Sequence, residues 1–522
     1  MADRRAFLRT AGVGAATAAA GLRPRPAAAF VPAHLWDRHD FGSGPPVTDR
    51  LDQGPFPQYP PEEVLPGSSV VMATTPSDDV VPGFGKGLVA YVTGDFGART
   101  FDGLDPQRAI EDLVRLPIGD KLYVRPTWRE IQKRRGRLDP EPYWKIVLDV
   151  ARQYGRRVGF RVMMSDPDIL EPSLPDFLLE KVPMVRLAGE WTGGDAGAAR
   201  RRKVLEEPRY DHPAFQQAFR ELNELLASEL DGGPLVEFAD TAMYGFWGEG
   251  HTWPFTNHPF PDYATAEATW VRMLEVQLDC WKRTPLATNT QPDFSRVGNS
   301  EVVDRTIRSH NWLRSDTIFI ENEQIEALSN RPPWTAAVLE QGMSDGSPDS
   351  LHLDDGVTRT DNAFCHVMDV GANYCSLWNW HKEGAANVLN YYRQFPATID
   401  RLARRLGYRV RPSFVWSYEG ADRSGLVVGF ANDGIAGVPG VLRVTVASAD
   451  GALSVSGGLD PGYPLPGRIR QARFPLPRGR DWKGLRLQAE LEVKGVRHPV
   501  RWACRQRLNE DGSLTLRPTR GV

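Results

Sequence analysis

Residues 241–251 read TAMYGFWGEGH, and the interpretation of the whole chain starts from this stretch. Its first half is apolar or small. It then runs into Phe246, Trp247, Gly248 and Glu249, the pattern of a buried strand that places one carboxylate beside an aromatic ring. Because an apolar neighbourhood penalises the charged form of a carboxyl group and raises its pKa, Glu249 is a candidate general acid. A helix cap or a partner for an arginine is the structural alternative for the same residue.

Short apolar runs alternate with helix-spaced segments on both sides of this stretch. Over about 320 residues this alternation predicts a closed (β/α)8 barrel, the TIM barrel. A doubly wound open sheet is the alternative, but the Gly-rich phosphate loop that would favour it is absent. The predicted strands are 87–92, 121–125, 157–164, 241–247, 285–289, 317–321, 334–341 and 373–378. The predicted helices are 106–116, 142–154, 213–230, 264–281, 301–313, 360–370 and 384–406.

The segments outside the barrel differ in composition. Residues 30–83 are rich in Pro, Gly and Asp and predict an irregular lead-in with one strand at 69–73. The barrel is assigned to 84–408. From residue 409 to 522, short β-type runs are separated by turns such as Asp433-Gly434 and Asp450-Gly451, which predicts a β-sandwich domain.

The N-terminus resembles a twin-arginine export signal. Asp3-Arg4-Arg5-Ala6-Phe7 precedes an apolar Ala/Gly-rich region, and three alanines at 27–29 offer a cleavage site. We therefore expect residues 1–29 to be a signal peptide and the protein to be periplasmic or extracellular. No later segment is long and apolar enough to predict a membrane span in the mature chain.

Composition narrows the partners and cofactors. A net charge of −3 without a basic run gives no indication of a nucleic-acid partner, whereas 15 Trp residues are typical of proteins with stacking platforms for sugars or of large cores. No CxxC motif or His/Cys cluster predicts a metal, and no cofactor is expected. Of four cysteines, Cys365 and Cys375 are the pair nearest in sequence, and export would permit a disulfide between them.

Reactive groups of a parallel barrel lie at the carboxyl ends of its strands, so the polar residues that follow each apolar run are the candidate site. Several have a structural alternative: Arg125 as a salt-bridge partner within the barrel, His251 as an ordinary loop histidine, and Trp378 as a core residue. The candidates for substrate binding are Arg125, Trp128, Asp166, Trp247, His251, Asn289, Glu321, Trp378 and Trp380.

These positions carry a family resemblance. A Glu at strand four, a second Glu at strand seven and a Trp at strand eight resemble the clan-A retaining glycoside hydrolases. The stretch YVRPTWREI at 123–131, followed by GRLD at 136–139, is similar to the second-strand region of family 42 β-galactosidases. The resemblance covers about residues 84–406. It departs from the clan at Gly248, where the clan has an Asn that binds a sugar hydroxyl.

The resemblance implies a pair of carboxyls, with Glu249 as acid/base and Glu340 as nucleophile, acting on an oligosaccharide or polysaccharide. A retaining mechanism needs the two groups about 5 to 5.5 Å apart, one protonated and one ionised. Glu321 and Glu323 are the rival nucleophiles. Two other functions stay open at this point: a non-catalytic carbohydrate-binding or cell-envelope protein, and a metal-dependent hydrolase, although no HxH or HxxE grouping ends the first strand.

Overall fold

The structure is a computed structural model of the 522-residue chain. It describes residues 69–92, 105–169, 171–191, 204–290, 296–315, 327–343, 365, 367–379, 385–420 and 424–519. The predicted signal peptide, Glu321, Glu323, Trp380 and most of the predicted helix at 360–370 lie outside these residues.

Eight parallel strands close into a barrel, as the alternation of the sequence predicts. The strand that closes the ring is the last one, because Tyr374 pairs with Gly87 of the first. In chain order the barrel strands are β2 (Gly87–Tyr91), β3 (Lys121–Val124), β4 (Arg157–Phe160), β7 (Val236–Asp240), β8 (Leu286–Asn289), β9 (Trp312–Ser315), β10 (Ala337–Met343) and β11 (Tyr374–Asn379). The TIM-barrel prediction is confirmed.

Two of the eight predicted strands are wrong in position. The fourth strand is β7 and not 241–247, where positive φ angles of 83° at Gly245 and 52° at Trp247 exclude an extended chain. The sixth is β9 and not 317–321, a range outside the described residues. Both real strands carry charged residues, as in VEFAD of β7, so their hydropathy is low although they are buried. Glu249 therefore lies in the loop after the fourth strand.

Helices surround the barrel, and several of them begin with Pro in the first turn or with a side chain that caps the helix. Pro106, Pro142 and Pro213 each occupy the first turn, where a missing N–H breaks no intrahelical hydrogen bond. The helix predicted at 384–406 is two helices, because Pro396 cannot continue the first one. The described helices are α1 (Pro106–Val114), α2 (Trp128–Ile131), α3 (Pro142–Gln153), α4 (Asp176–Leu179), α5 (Pro213–Leu230), α6 (Tyr263–Cys280), α7 (Arg296–Arg308), α8 (Ala385–Gln394) and α9 (Pro396–Arg405).

The residues after the barrel form two antiparallel sheets that pack as a β-sandwich, which confirms that prediction. Their strands are β1 (Ser69–Ala73), β12 (Val410–Glu419), β13 (Ser424–Asn432), β14 (Val441–Ala447), β15 (Ser454–Gly458), β16 (Ile469–Pro475), β17 (Arg486–Val493), β18 (Val496–Val500) and β19 (Leu514–Thr515). One sheet has the order β1-β12-β13-β16, and the other β15-β14-β17-β18 with β19 beside β17. The first sheet takes its edge strand from the lead-in.

The sandwich contacts the barrel at the amino ends of its strands. Lys494, in the turn between β17 and β18, donates from Nζ to the carbonyl oxygens of Trp281 and Thr284 and to Oδ1 of Asn311 at 2.9, 3.2 and 2.8 Å. These three acceptors directly precede β8 and β9. The contact therefore lies at the end of the barrel opposite to the carboxyl ends of the strands.

Two further features concern the sequence predictions. The thiols of all four cysteines are free, so the suggested pairing of Cys365 with Cys375 is not formed. Within the described part of the chain, none of the helices combines the length and the hydropathy that a membrane span requires.

Candidate active site

Charged and tyrosine side chains from six barrel strands and one loop converge at the carboxyl end of the barrel. Tyr91 and Asp240 are the last residues of β2 and β7, and Arg125 and Arg161 directly follow β3 and β4. In a parallel barrel these positions meet at one end, which is why residues far apart in sequence can form one site. The members of this cluster, which we call the mouth cluster, are Tyr91, Tyr123, Arg125, Arg161, Asp240, Glu249, His251, Arg314 and Glu340; all are buried.

Glu249 is placed by a tight loop. A 3-10 turn at Phe246–Gly248 is closed by the Phe246 N–H, which donates to the carbonyl oxygen of His251 at 2.8 Å. A Cβ on Gly245 would lie 2.4 Å from that same oxygen, so only glycine fits there. Gly248 has a φ of 78°, and a Cβ on it would lie 3.3 Å from Cδ of Arg161. Gly248, where the sequence departs from the resemblance, is thus a left-handed residue packed beside an arginine.

The environment of Glu249 is ionic. Nη1 of Arg161 lies 2.8 Å and Nη1 of Arg125 3.3 Å from its Oε1, and Nε2 of His251 lies 3.5 Å from its Oε2. Burial alone would raise the pKa of Glu249, but the hydrogen bond from His251 and the charges of Arg161 and Arg125 outweigh it and lower the pKa well below its usual range. The raised pKa expected from the sequence is therefore wrong.

The tautomer of His251 follows from the hydrogen bond that its other ring nitrogen, Nδ1, accepts. The backbone N–H of Trp253 donates to Nδ1 at 3.3 Å, which requires an unprotonated Nδ1. The proton of a neutral ring is then on Nε2, directed at Glu249. His251 consequently supports the negative charge of this carboxylate as a hydrogen-bond donor.

Glu340 lies within β10, where its backbone pairs with Ser376. The hydroxyl of Tyr91 donates to Oε1 at 2.6 Å, and Nη2 of Arg314 contacts Oε2. Arg314 also donates from the same nitrogen to the Tyr91 hydroxyl at 2.6 Å. Two donors, the Tyr91 hydroxyl and the Arg314 guanidinium, therefore meet this carboxylate.

The guanidinium of Arg125 sets an upper limit on the distance between the two glutamates. Nη1 of Arg125 lies 3.3 Å from Oε1 of Glu249 and 3.9 Å from Oε1 of Glu340. The two oxygens can therefore be no farther apart than the sum of these lengths. That limit is compatible with the carboxyl separation of about 5 to 5.5 Å used by retaining glycosidases.

Three charged residues of the cluster were not among the sequence candidates. Arg161 donates to Glu249, Arg314 to Glu340, and the carboxylate of Asp240 lies between the two arginines. A signal exists for one of them, since Arg161 stands inside the apolar run GFRVMM, whereas Arg314 in NWLRS also has polar neighbours. A buried arginine needs an anionic partner, so such a run indicates an ion-pair network.

Another buried carboxyl group, that of Glu207, lies close to the mouth cluster. Glu207 accepts hydrogen bonds from the hydroxyls of Ser165 and Tyr210 at 2.5 and 2.6 Å. Burial raises its pKa to about 7, although these two hydrogen bonds act in the other direction. Glu207 belongs to β6 (Glu206–Pro208), which pairs antiparallel with β5 (Met184–Arg186) beyond the third barrel strand.

The other sequence candidates are placed at different distances from the glutamates. Trp247 is half-buried, with its ring 5.8 Å from that of His251, and lies at the cluster. Trp128 lies outside the barrel: its ring packs edge-on against Phe215 of α5 at 5.6 Å, and its Nε1 donates to Gln132. It belongs to the core between helices.

Asp166 caps its own turn, since Oδ1 accepts from the N–H of Asp168 at 3.0 Å. Asn289 is buried at the carboxyl end of β8, and the backbone of Trp378 belongs to β11. Among the described residues, no group of His, Cys, Asp and Glu is arranged to hold a metal ion.

Comparisons with known proteins give similar folds at low identity. No protein family and no curated sequence matches the chain. Among solved structures, endo-glycoceramidase II from Rhodococcus sp. is 13% identical over 78% of this chain and 100% of that chain, with a TM-score of 0.36. A β-galactosidase from Rahnella sp. R3 is 12% identical over 65% of this chain and 59% of that chain, with a TM-score of 0.38.

A third similar structure is a GH5_18 protein from Streptomyces cattleya in complex with GlcNAc. It is 11% identical over 61% of this chain and 87% of that chain, with a TM-score of 0.37. Identities and TM-scores of this size carry no argument about activity. The function of this chain therefore has to be argued from the mouth cluster itself.

Proposed function

We propose that this protein is an exported glycoside hydrolase that cleaves an oligosaccharide or polysaccharide with retention, using Glu340 as nucleophile and Glu249 as acid/base. The observation that carries the proposal is the approach of both carboxylates to one nitrogen of Arg125 at the carboxyl end of the barrel. Retention requires two carboxyls on opposite sides of one glycosidic bond, and this arrangement allows the required separation.

Glu340 has the environment of a nucleophile. The Tyr91 hydroxyl and the Arg314 guanidinium both donate to it, so its negative charge is stabilised and its orientation is fixed. In the first step an oxygen of Glu340 bonds to the anomeric carbon while the bond from that carbon to the leaving oxygen breaks. The leaving oxygen takes a proton from Glu249.

Glu249 must therefore be protonated in the first step and ionised in the second, when it removes a proton from water. Arg161, Arg125 and His251 hold it ionised in the ligand-free molecule. We infer that a sugar seated between the two glutamates separates Glu249 from Arg125 and so raises the pKa of Glu249. Once Glu340 is esterified by the sugar, the arginines again favour the ionised Glu249 that the second step needs.

One observation favours the second candidate, a non-catalytic carbohydrate-binding protein. A carboxylate whose pKa is held low by two arginines and a histidine is a good acceptor for sugar hydroxyls and a poor proton donor. The two functions differ in their response to substitution, so one set of variants separates them.

The experiment begins with a panel of glycans and aryl glycosides and compares Glu340→Ala and Glu249→Ala with the wild type. Both variants are expected to lose most hydrolysis of unactivated glycosides while remaining folded. On an aryl glycoside, Glu249→Ala should accumulate glycosyl-enzyme, and azide should then release a glycosyl azide of retained configuration. Azide with Glu340→Ala should give the inverted product, because azide replaces the missing nucleophile.

Two controls sharpen this test. Glu321→Ala removes the rival nucleophile, and Glu237→Gln changes a buried carboxyl at the other end of β7. Activity retained in Glu340→Ala but lost in Glu321→Ala would transfer the role to Glu321. Glycan binding without hydrolysis in the wild type would establish the carbohydrate-binding function instead.

A further inference from the structure

We propose that Asp240 is a positioning residue for both members of the catalytic pair, acting through the guanidinium groups of Arg161 and Arg314. The inference rests on the proposed function, because it assigns a role within the same site. Asp240 was not a candidate from the sequence, and no step of the mechanism above uses it.

The contacts of Asp240 join two halves of the mouth cluster. Its Oδ2 lies 2.9 Å from Nη1 of Arg314 and 3.4 Å from Nη2 of Arg161, and it accepts a hydrogen bond from the Tyr123 hydroxyl. The side chains of Asp240 and both arginines have no exposed surface. In such a dry location a carboxylate interacts with a guanidinium far more strongly than in water.

Each arginine divides its guanidinium between Asp240 and one glutamate. Arg161 directs Nη2 to Asp240 and Nη1 to Glu249, and Arg314 directs Nη1 to Asp240 and Nη2 to Glu340. A planar guanidinium held at both ends cannot rotate without breaking an ion pair or a charge-assisted hydrogen bond. Asp240 therefore fixes the orientation of the donors that meet both glutamates.

Asp240 also sets the charge balance of the cluster. The charged groups are three arginines, at 125, 161 and 314, and three carboxylates, at 240, 249 and 340; Tyr91, Tyr123 and His251 are the other titratable groups that face them. Removing the negative charge of Asp240 leaves an excess positive charge beside Glu249 and Glu340. Both glutamates would then hold their negative charges more strongly.

The loss of the Asp240 charge therefore predicts a change in the pH–activity profile that a loss of packing would not cause. A nucleophile that ionises at lower pH moves the acid limb of the pH–activity profile down, and an acid that is harder to protonate moves the alkaline limb down as well. Asp240→Asn is the suitable variant, because all three contacts go to Oδ2 and the amide oxygen can take that place. Tyr123 then keeps its acceptor while the charge is lost.

The experiment measures kcat against pH at saturating glycoside, where the sugar complex titrates, for the wild type, Asp240→Asn and the control Glu237→Gln. In the control, Oε1 keeps the hydrogen bonds from Tyr374 and from the Gly85 N–H. Both limbs of Asp240→Asn should move to lower pH by about one unit, and those of the control should stay in place. A fall in kcat with unmoved limbs would overturn the proposal. If Asp240→Asn does not fold, Asp240→Ser replaces it with the same expectation.

A stability measurement separates failure of this proposal from failure of the hydrolase function. Asp240 and Glu249 share Arg161, so the double variant Asp240→Asn/Glu249→Gln should lose more unfolding free energy than the two single variants together. The pair Glu237→Gln/Glu249→Gln should be additive. Additive losses in the first pair would overturn the role of Asp240, whether or not the wild type hydrolyses a glycoside. If the double variant loses more unfolding free energy than the sum of the single variants and the wild type hydrolyses no glycoside, the link through Arg161 stands and the hydrolase function is rejected.

Discussion

Nη1 of Arg161 lies 2.8 Å from Oε1 of Glu249, and the two side chains are 0% and 4% exposed. A buried ion pair contributes little net stability because desolvation offsets the attraction, but removal of one partner leaves a bare charge in the interior. This asymmetry makes Arg161 a sensitive position, since it also contacts Asp240.

We expect Arg161→Met to reduce the free energy of unfolding by about 3 to 5 kcal/mol at neutral pH. The loss should shrink as the pH falls, because protonation neutralises the carboxylates that the arginine leaves behind. Urea denaturation at pH 5 and pH 7.5 measures both effects. Arg129→Met is the matched control, as Arg129 pairs with an exposed Asp176 at 2.7 Å. Equal losses for the two variants would contradict the burial argument.

Glu207 predicts a second pH dependence of stability, with a definite sign. Its pKa is 4.5 in the unfolded reference and about 7 in the fold, so the folded state binds the proton more tightly. The contribution of Glu207 is fully present below pH 4.5 and is lost as the pH rises through about 7. A shift of this size corresponds to about 3 kcal/mol.

Glu207→Gln removes this titration and keeps an uncharged side chain of the same shape. Relative to the wild type, the variant should therefore be more stable at pH 8 than at pH 5, as judged by unfolding free energies at the two values. Glu206→Gln changes the exposed neighbour in the same strand and serves as control. A stability difference that is the same at both pH values would contradict a raised pKa of Glu207.

Export by the twin-arginine route is a separate proposal, resting on the sequence of the N-terminus. The double substitution Arg4→Lys/Arg5→Lys retains both positive charges but removes the guanidinium pair that this signal requires. Precursor should then accumulate in the cytoplasm, which cell fractionation and the size of the chain would reveal. Arg9→Lys, in the same segment, should leave export intact. Unchanged export of the double variant would indicate another route.

The sequence predicts the barrel well because its signal is repeated. Runs such as GLVAY and KLYV are short, buried on both faces and separated by helical spacing. The fourth and sixth strands were missed because their interiors contain Glu237, Asp240 and Arg314. These charges are buried only by partners on other strands, so the local hydropathy of each strand understates its burial.

The sequence predicts only part of the candidate site, because the partners of its residues lie on other strands. Glu249 and Glu340 were named from their positions at the ends of apolar runs. The network that holds them joins residues such as Arg161 and Asp240, which are 79 positions apart and meet only when the barrel closes. The direction of the pKa shift of Glu249 depends on those partners. The aromatic residues that precede it, Phe246 and Trp247, indicate the opposite direction.

The last prediction concerns the hydroxyl of Tyr91, which donates to Oε1 of Glu340 at 2.6 Å and accepts from Arg314. Tyr91→Phe removes one hydrogen bond to a charged group, worth about 1.5 to 3 kcal/mol. If that bond supports Glu340 as nucleophile in the transition state, kcat/KM should fall roughly 10- to 100-fold.

Tyr374→Phe provides a matched control for this effect. Its hydroxyl donates to Glu237 at 2.6 Å, so the same atom is removed from another buried tyrosine–glutamate pair of the barrel. Both variants should lose stability to a similar degree, and only Tyr91→Phe should lose activity. Steady-state kinetics together with thermal unfolding distinguish the two contributions. Equal losses of activity would mean that Tyr91 supports the fold of the barrel and not the reactivity of Glu340.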